Sequence, residues 1–184
     1  MRFHCLGVPH TVTSPEYVAC AFTQKILKFC KMMKAKGHYT IHYGHEDSVL
    51  DCDEHVSVLT NKDFEECYGH KEWRNTFFKY DLKDSAYTTF YVNAIREIGF
   101  RKQKNDFILP FWGCGGRTIC EAHHDLICVE PGIGYSSGHW ARWKIFESYA
   151  LLHAYLGINA VTKCIPEWYN TVVPNYFDLD DFEY

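Results

Sequence analysis

The run Gly132-Ile133-Gly134-Tyr135-Ser136-Ser137-Gly138 follows an apolar stretch, Leu126 to Glu130, and precedes an aromatic one. Glycines let a backbone approach a phosphate or a sugar closely, and a helix opening after such a turn favours negative charge. The spacing is Gly-x-Gly-x-x-x-Gly, one residue off the common dinucleotide fingerprint, and it comes late in the chain. A second glycine turn, Gly113-Cys114-Gly115-Gly116, follows the apolar stretch Asp106 to Phe111. Each turn also reads as a plain tight connection. His10 and Thr11 stand just past the apolar opening, Met1 to Val8, where a histidine can serve as a general base or a hydrogen-bond donor. Glu130 ends a buried stretch, where a carboxylate is costly unless paired or functional. It suits sugar hydroxyls or a backbone turn. His10 and Glu130 are the candidate catalytic groups, and Thr11, Thr13, Gly113, Cys114, Gly115, Gly132, Gly134 and Tyr135 the candidate substrate-binding ones.

These residues need strands that end together. Met1 to Val8 reads as a buried first strand. Thr13 and Glu16 have capping-box spacing, Pro15 suits a first helical turn, and Val18, Phe22, Phe29 and Met33 fall at helical spacing up to Gly37. Strands are expected at Tyr39–Gly44, Val56–Thr60, Asp106–Phe111 and Leu126–Glu130. Helices are expected at Ala86–Phe100, Arg117–His124 and Trp140–Leu156, the last stopped by Gly157 and carrying Glu147, near Arg142 or Lys144, and His153. Residues 61–85 show no clean period and read as irregular, with one helical turn. Ala160–Pro166 reads as a further strand and Trp168–Phe177 as an extended segment. The alternation predicts an α/β fold with an open, doubly wound, mostly parallel sheet of Rossmann-like type. Ligands then sit at the carboxyl edge, where three loops gather: Pro9–Ser14, Trp112–Gly116 and Glu130–Gly138.

A chain of 184 residues, 47% hydrophobic, can bury a real core and is not disordered. A net charge of −4 with no long basic tract disfavours nucleic acid, and no apolar run approaches a membrane span. Nine scattered cysteines, with Cys5, Cys20, Cys30 and Cys128 in apolar contexts, fit reduced thiols and a cytoplasmic location. The spacings among Cys114, Cys120, His123, His124 and Cys128 match no common zinc module, so no metal is expected.

Three segments together carry a resemblance: MRFHCLGVPHTVTSPEYVACAFTQKILKFCKMM, VEPGIGYSSGHWARWKIFESYALLH and VVPNYFDLDDF. They resemble the N-terminal domain of a GT-B glycosyltransferase, similar to the family-4-like, retaining group. The resemblance implies metal-independent glycosyl transfer from a nucleotide sugar, used as a substrate rather than a cofactor, to a carbohydrate or other hydroxyl acceptor. It implies that His10, Thr11 and the loops at Gly113 and Gly132 line the acceptor cleft and contact the acceptor and donor phosphates. It places residues 1–174 in one Rossmann-like domain and residues 175–184, an acidic tail, at the position of the interdomain linker. The basic residues and paired glutamates of a donor domain have no counterpart in this sequence, so a second chain carrying that domain, or a homodimer, is expected as a partner. A non-catalytic sugar- or nucleotide-binding module and a small nucleotide-dependent oxidoreductase are the alternatives.

Overall fold

The computed structural model describes residues 1–163, 169–179 and 182. Seven strands form one parallel sheet: β1 (Arg2–Leu6), β2 (Tyr39–His45), β3 (Glu54–Leu59), β4 (Phe107–Pro110), β5 (Ile127–Ile133), β6 (Trp143–Phe146) and β7 (Thr171–Val172), in the order β3-β2-β1-β4-β5-β6-β7. The apolar first strand lies centrally, with Cys5 beside His42 of β2 and Leu109 of β4. Among the described residues five helices accompany the sheet: α1 (Ala21–Ala35), α2 (Asn61–Tyr68), α3 (Ser85–Arg101), α4 (Arg117–Ala122) and α5 (Tyr149–Lys163). The chain builds outward from β1 to β3, then crosses back to β4 and builds the other way. Right-handed crossovers therefore put α1 and α3 on opposite faces, a doubly wound Rossmann-like fold. The core is continuous from Phe3, Leu6 and Ile41 through Phe90, Ile98 and Ile108 to Ile119.

Several sequence expectations give way. The first helix begins at Ala21, after an extended Cys20 with no side-chain cap, not at Thr13. The Thr13 hydroxyl is taken by His42 and the Glu16 carboxylate by Arg74, so no capping box forms there. The expected helix at Trp140–Leu156 is instead a loop, the strand β6, and then α5, which runs through Gly157 to Lys163. Alternate burial of Lys144 and Phe146 marks β6 as a strand, and Ser148 starts the helix by accepting the Leu151 N–H at 3.3 Å. Glu147 thus precedes α5 and pairs with Lys25 rather than Arg142 or Lys144. Residues 61–85 contain a full helix, α2, opened by a reciprocal Thr60–Asp63 capping box, and a 3-10 turn at Trp73–Asn75. Of the strand expected at Ala160–Pro166, residues 160–163 close α5 and the rest lies outside the described residues. The segment after β7 crosses α1, where Lys31 bonds Asp178 and Lys28 lies over the Phe177 ring.

Candidate functional site

The sheet order reverses between β1 and β4, so the loops after these two strands diverge and leave a crevice. The loop after β1 carries His10, Thr11 and Thr13. Thr11 is buried: its N–H closes a turn on the Val8 carbonyl at 3.0 Å, and its hydroxyl meets Val8 O and the Thr23 hydroxyl of α1. Thr13 is equally enclosed. Its hydroxyl meets His42 Nε2 at 3.1 Å, its N–H donates to Ser48, and its carbonyl accepts from Val49 N–H. Both threonines therefore fix the loop's path, and that path presents His10. The His10 ring stacks on Tyr87, with Nδ1 2.5 Å from the Tyr87 hydroxyl. Among the described residues nothing bonds its Nε2.

The loop after β4 comes to the same place. Trp112 sets its ring edge-on to Tyr87 at 5.7 Å, and Tyr80 sets its ring edge-on to both His10 and Tyr87. The exposed Cys114 thiol lies beside Tyr80; burial first, and then this thiol, raise the Tyr80 pKa. The glycines have packing reasons. A Cβ at Gly115 would lie 1.8 Å from the Trp112 ring, and one at Gly116 would strike Pro110. Gly113 takes φ +68°, and its carbonyl accepts the Trp140 indole N–H at 3.0 Å.

That last bond ties in the loop after β5. Tyr135 approaches Gly113, and its hydroxyl donates to Glu130 Oε1 at 2.5 Å. Glu130 Oε2 accepts the backbone N–H groups of Trp140 and Ala141. Glu130 is fully buried within β5, which runs on to Ile133 where a loop was expected from Glu130, and its carboxylate braces the loop that follows the strand. The glycines here serve an ion pair. The Gly132 carbonyl accepts from Lys25 Nζ at 2.8 Å, and Lys25 pairs with Glu147, whose carboxylate fills the space a Gly134 Cβ would need. Because β6 follows this loop, no helix opens after Gly138, and the turn offers no helix N-terminus to a phosphate.

The crevice thus presents His10 Nε2, the half-exposed Tyr80, Tyr91 and the Cys114 thiol over a floor of Tyr87 and Trp112. Burial lowers the His10 pKa to about 4, against a smaller raising effect of the Asp84 carboxylate, so the imidazole is neutral at neutral pH. Burial also holds the Tyr87 phenol protonated. The charge that acts on His10 is negative. Among the described residues no group of three or more His, Cys, Asp or Glu is gathered as for a metal ion, and no helix is long and apolar enough to cross a membrane. Tyr80, Tyr87 and Trp112 were not legible as site residues. Tyr80 falls in the stretch without period, and the His10–Tyr87 contact spans 77 residues of sequence. No protein-family model and no curated protein matches this chain.

Proposed function

We propose that this chain is an acceptor-binding domain of GT-B type, holding a carbohydrate or another hydroxyl-bearing acceptor for glycosyl transfer from a nucleotide sugar. The observation that carries this reading is the neutral, aromatic crevice around His10 at the switch point of the sheet. Sugars are bound by aromatic faces and neutral hydrogen-bond groups, whereas a diphosphate calls for cations or backbone N–H groups at a helix start. The nearby Asp84 carboxylate opposes a phosphate there. The three segments that resemble the GT-B N-terminal domain include two of the loops that meet at this crevice. Donor binding then falls to a second domain. His10 is the group that touches the acceptor, while Thr11, Thr13 and Glu130 hold the loops that shape its site. The test is a titration of the chain with a panel of glycosides and nucleotide sugars, followed by NMR and calorimetry. Glycosides should shift the signals of His10 and Tyr80, and His10→Ala should weaken them about tenfold. A panel in which only nucleotides bind, or nothing binds at His10, sinks the reading.

A further inference from the structure

We infer that Tyr87 fixes His10 as the Nε2–H tautomer, so that the histidine enters the crevice as a hydrogen-bond donor to a ligand oxygen and not as a base. The inference rests on an account of protons. Tyr87 is fully buried, and among the described residues its hydroxyl has a single partner, His10 Nδ1 at 2.5 Å. The groups around it are the rings of Tyr80, Tyr91 and Trp112, all set edge-on, while the Asp84 carboxylate takes the hydroxyl of Tyr68 at 3.1 Å. Two arrangements are open to a neutral imidazole. In one, Nδ1 carries the proton and donates to the phenol oxygen. The phenol proton is then left buried with no acceptor, at the full desolvation cost of that group. In the other, the phenol donates to a bare Nδ1 and every buried group is satisfied. The proton of the ring must then sit on Nε2, the nitrogen that no group among the described residues engages.

A doubly protonated ring fails by the same account, because Nδ1–H would again strand the phenol proton. Burial acts in the same direction by lowering the pKa of His10. The consequence is chemical. An Nε2–H cannot take a proton from an acceptor hydroxyl. It binds a lone pair, so the atom it receives is a hydroxyl, ether or carbonyl oxygen. Tyr87 is a positioning residue: it acts through His10 and does not itself reach the ligand. That the received oxygen belongs to an acceptor sugar rests on the function proposed above, whereas the tautomer is a property of the free chain.

The experiment is long-range 1H–15N correlation on the 15N-labelled chain at neutral pH, with His10 assigned through its loss in His10→Ala. The expected spectrum shows a protonated Nε2 and a bare Nδ1. Tyr87→Phe keeps the ring packing and should release His10 into a mixture of tautomers, weakening the bound glycoside about tenfold. His10→Gln, whose amide nitrogen reaches the place of Nε2, should retain more affinity than His10→Asn. An Nδ1–H signal in the unmodified chain overturns the inference, even if Tyr87→Phe fails to fold. So does an unchanged Nε2–H signal in a folded Tyr87→Phe chain. An Nε2–H spectrum in a chain that binds no glycoside keeps the tautomer and removes the acceptor reading.

Discussion

Tyr135 donates its hydroxyl to the buried carboxylate of Glu130 at 2.5 Å, from the loop after β5 back to a residue within that strand. With the N–H groups of Trp140 and Ala141 on the other oxygen, the Glu130 side chain closes residues 130–141 on themselves. A carboxylate can accept from all three donors at once; an amide cannot. Glu130→Gln therefore turns an NH2 group toward either the phenol or the two backbone N–H groups. The expected cost is about 1–3 kcal/mol of stability, read as a lower urea midpoint with an unchanged slope. Early proteolysis within residues 134–141 should accompany it. A variant as stable as the parent would show that the loop does not depend on this carboxylate.

The histidines predict a strong acid sensitivity. Burial is the first cause that lowers the pKa of His4, His10, His42, His45, His55 and His123, and each is neutral in the fold. Several bonds require neutrality. His42 and His55 meet Nδ1 to Nδ1 at 3.0 Å, which needs one donor and one acceptor, and His45 Nδ1 accepts the Asp47 N–H. A folded pKa below the unfolded value near 6.5 gives stability that is present above that pH and lost as pH falls. Below about pH 6.5 each such histidine removes up to about 1.4 kcal/mol per pH unit until its own folded pKa is passed, which for His10 is about 4. The melting temperature should fall steeply over that range, and the loop held by His42 on Thr13 should exchange its amides first. A flat melting profile from pH 7 to pH 5 would contradict this.

How far the sequence revealed this arrangement differs from element to element. The strands β1 and β4 are short apolar runs bounded by glycine, proline or polar turns, and a run buried on both faces declares itself by composition. The strand β6 was hidden because Trp143 to Phe146 adjoins the apolar start of α5, and short apolar runs fit either period. Ser148, four residues ahead of Leu152, was the boundary signal. In the site, His10 was visible as a polar residue past the first strand. Its partners were not, because Tyr80 and Tyr87 reach it, and Trp112 reaches Tyr87, through tertiary packing that leaves no local pattern.

Gly115 tests the floor of the crevice. Its missing side chain makes room for the Trp112 ring, which would lie 1.8 Å from a Cβ. Gly115→Ala must push the indole off Tyr87, and overpacking of this kind costs about 1–3 kcal/mol. The aromatic circular-dichroism bands should change more than the far-ultraviolet spectrum, and glycoside affinity should drop with them. Gly99→Ala is the control: its added methyl meets only a His123 ring carbon at 3.9 Å and stands in a helix, so it should be neutral or slightly stabilising. Equal behaviour of the two variants would mean that Trp112 is free to move.

The last prediction concerns turnover. Transfer requires donor and acceptor in one near-attack geometry, and developing charge on the leaving diphosphate needs preorganised cations or dipoles. The groups gathered at His10 are phenols, an indole, a thiol and a neutral imidazole, with Asp84 as the charge that acts on them. Lys25, beside the end of β5, is already held by the Gly132 carbonyl and Glu147. This chain alone should therefore bind glycosides without consuming nucleotide sugars, and sugar transfer should begin only when a donor-binding domain is added. The assay incubates the chain with nucleotide sugars and acceptors, alone and with candidate donor domains, and follows release of nucleotide and glycosylated product. Robust transfer by the chain alone, abolished by His10→Ala, would show that the crevice already holds both substrates and that the division of labour argued from its neutrality is wrong.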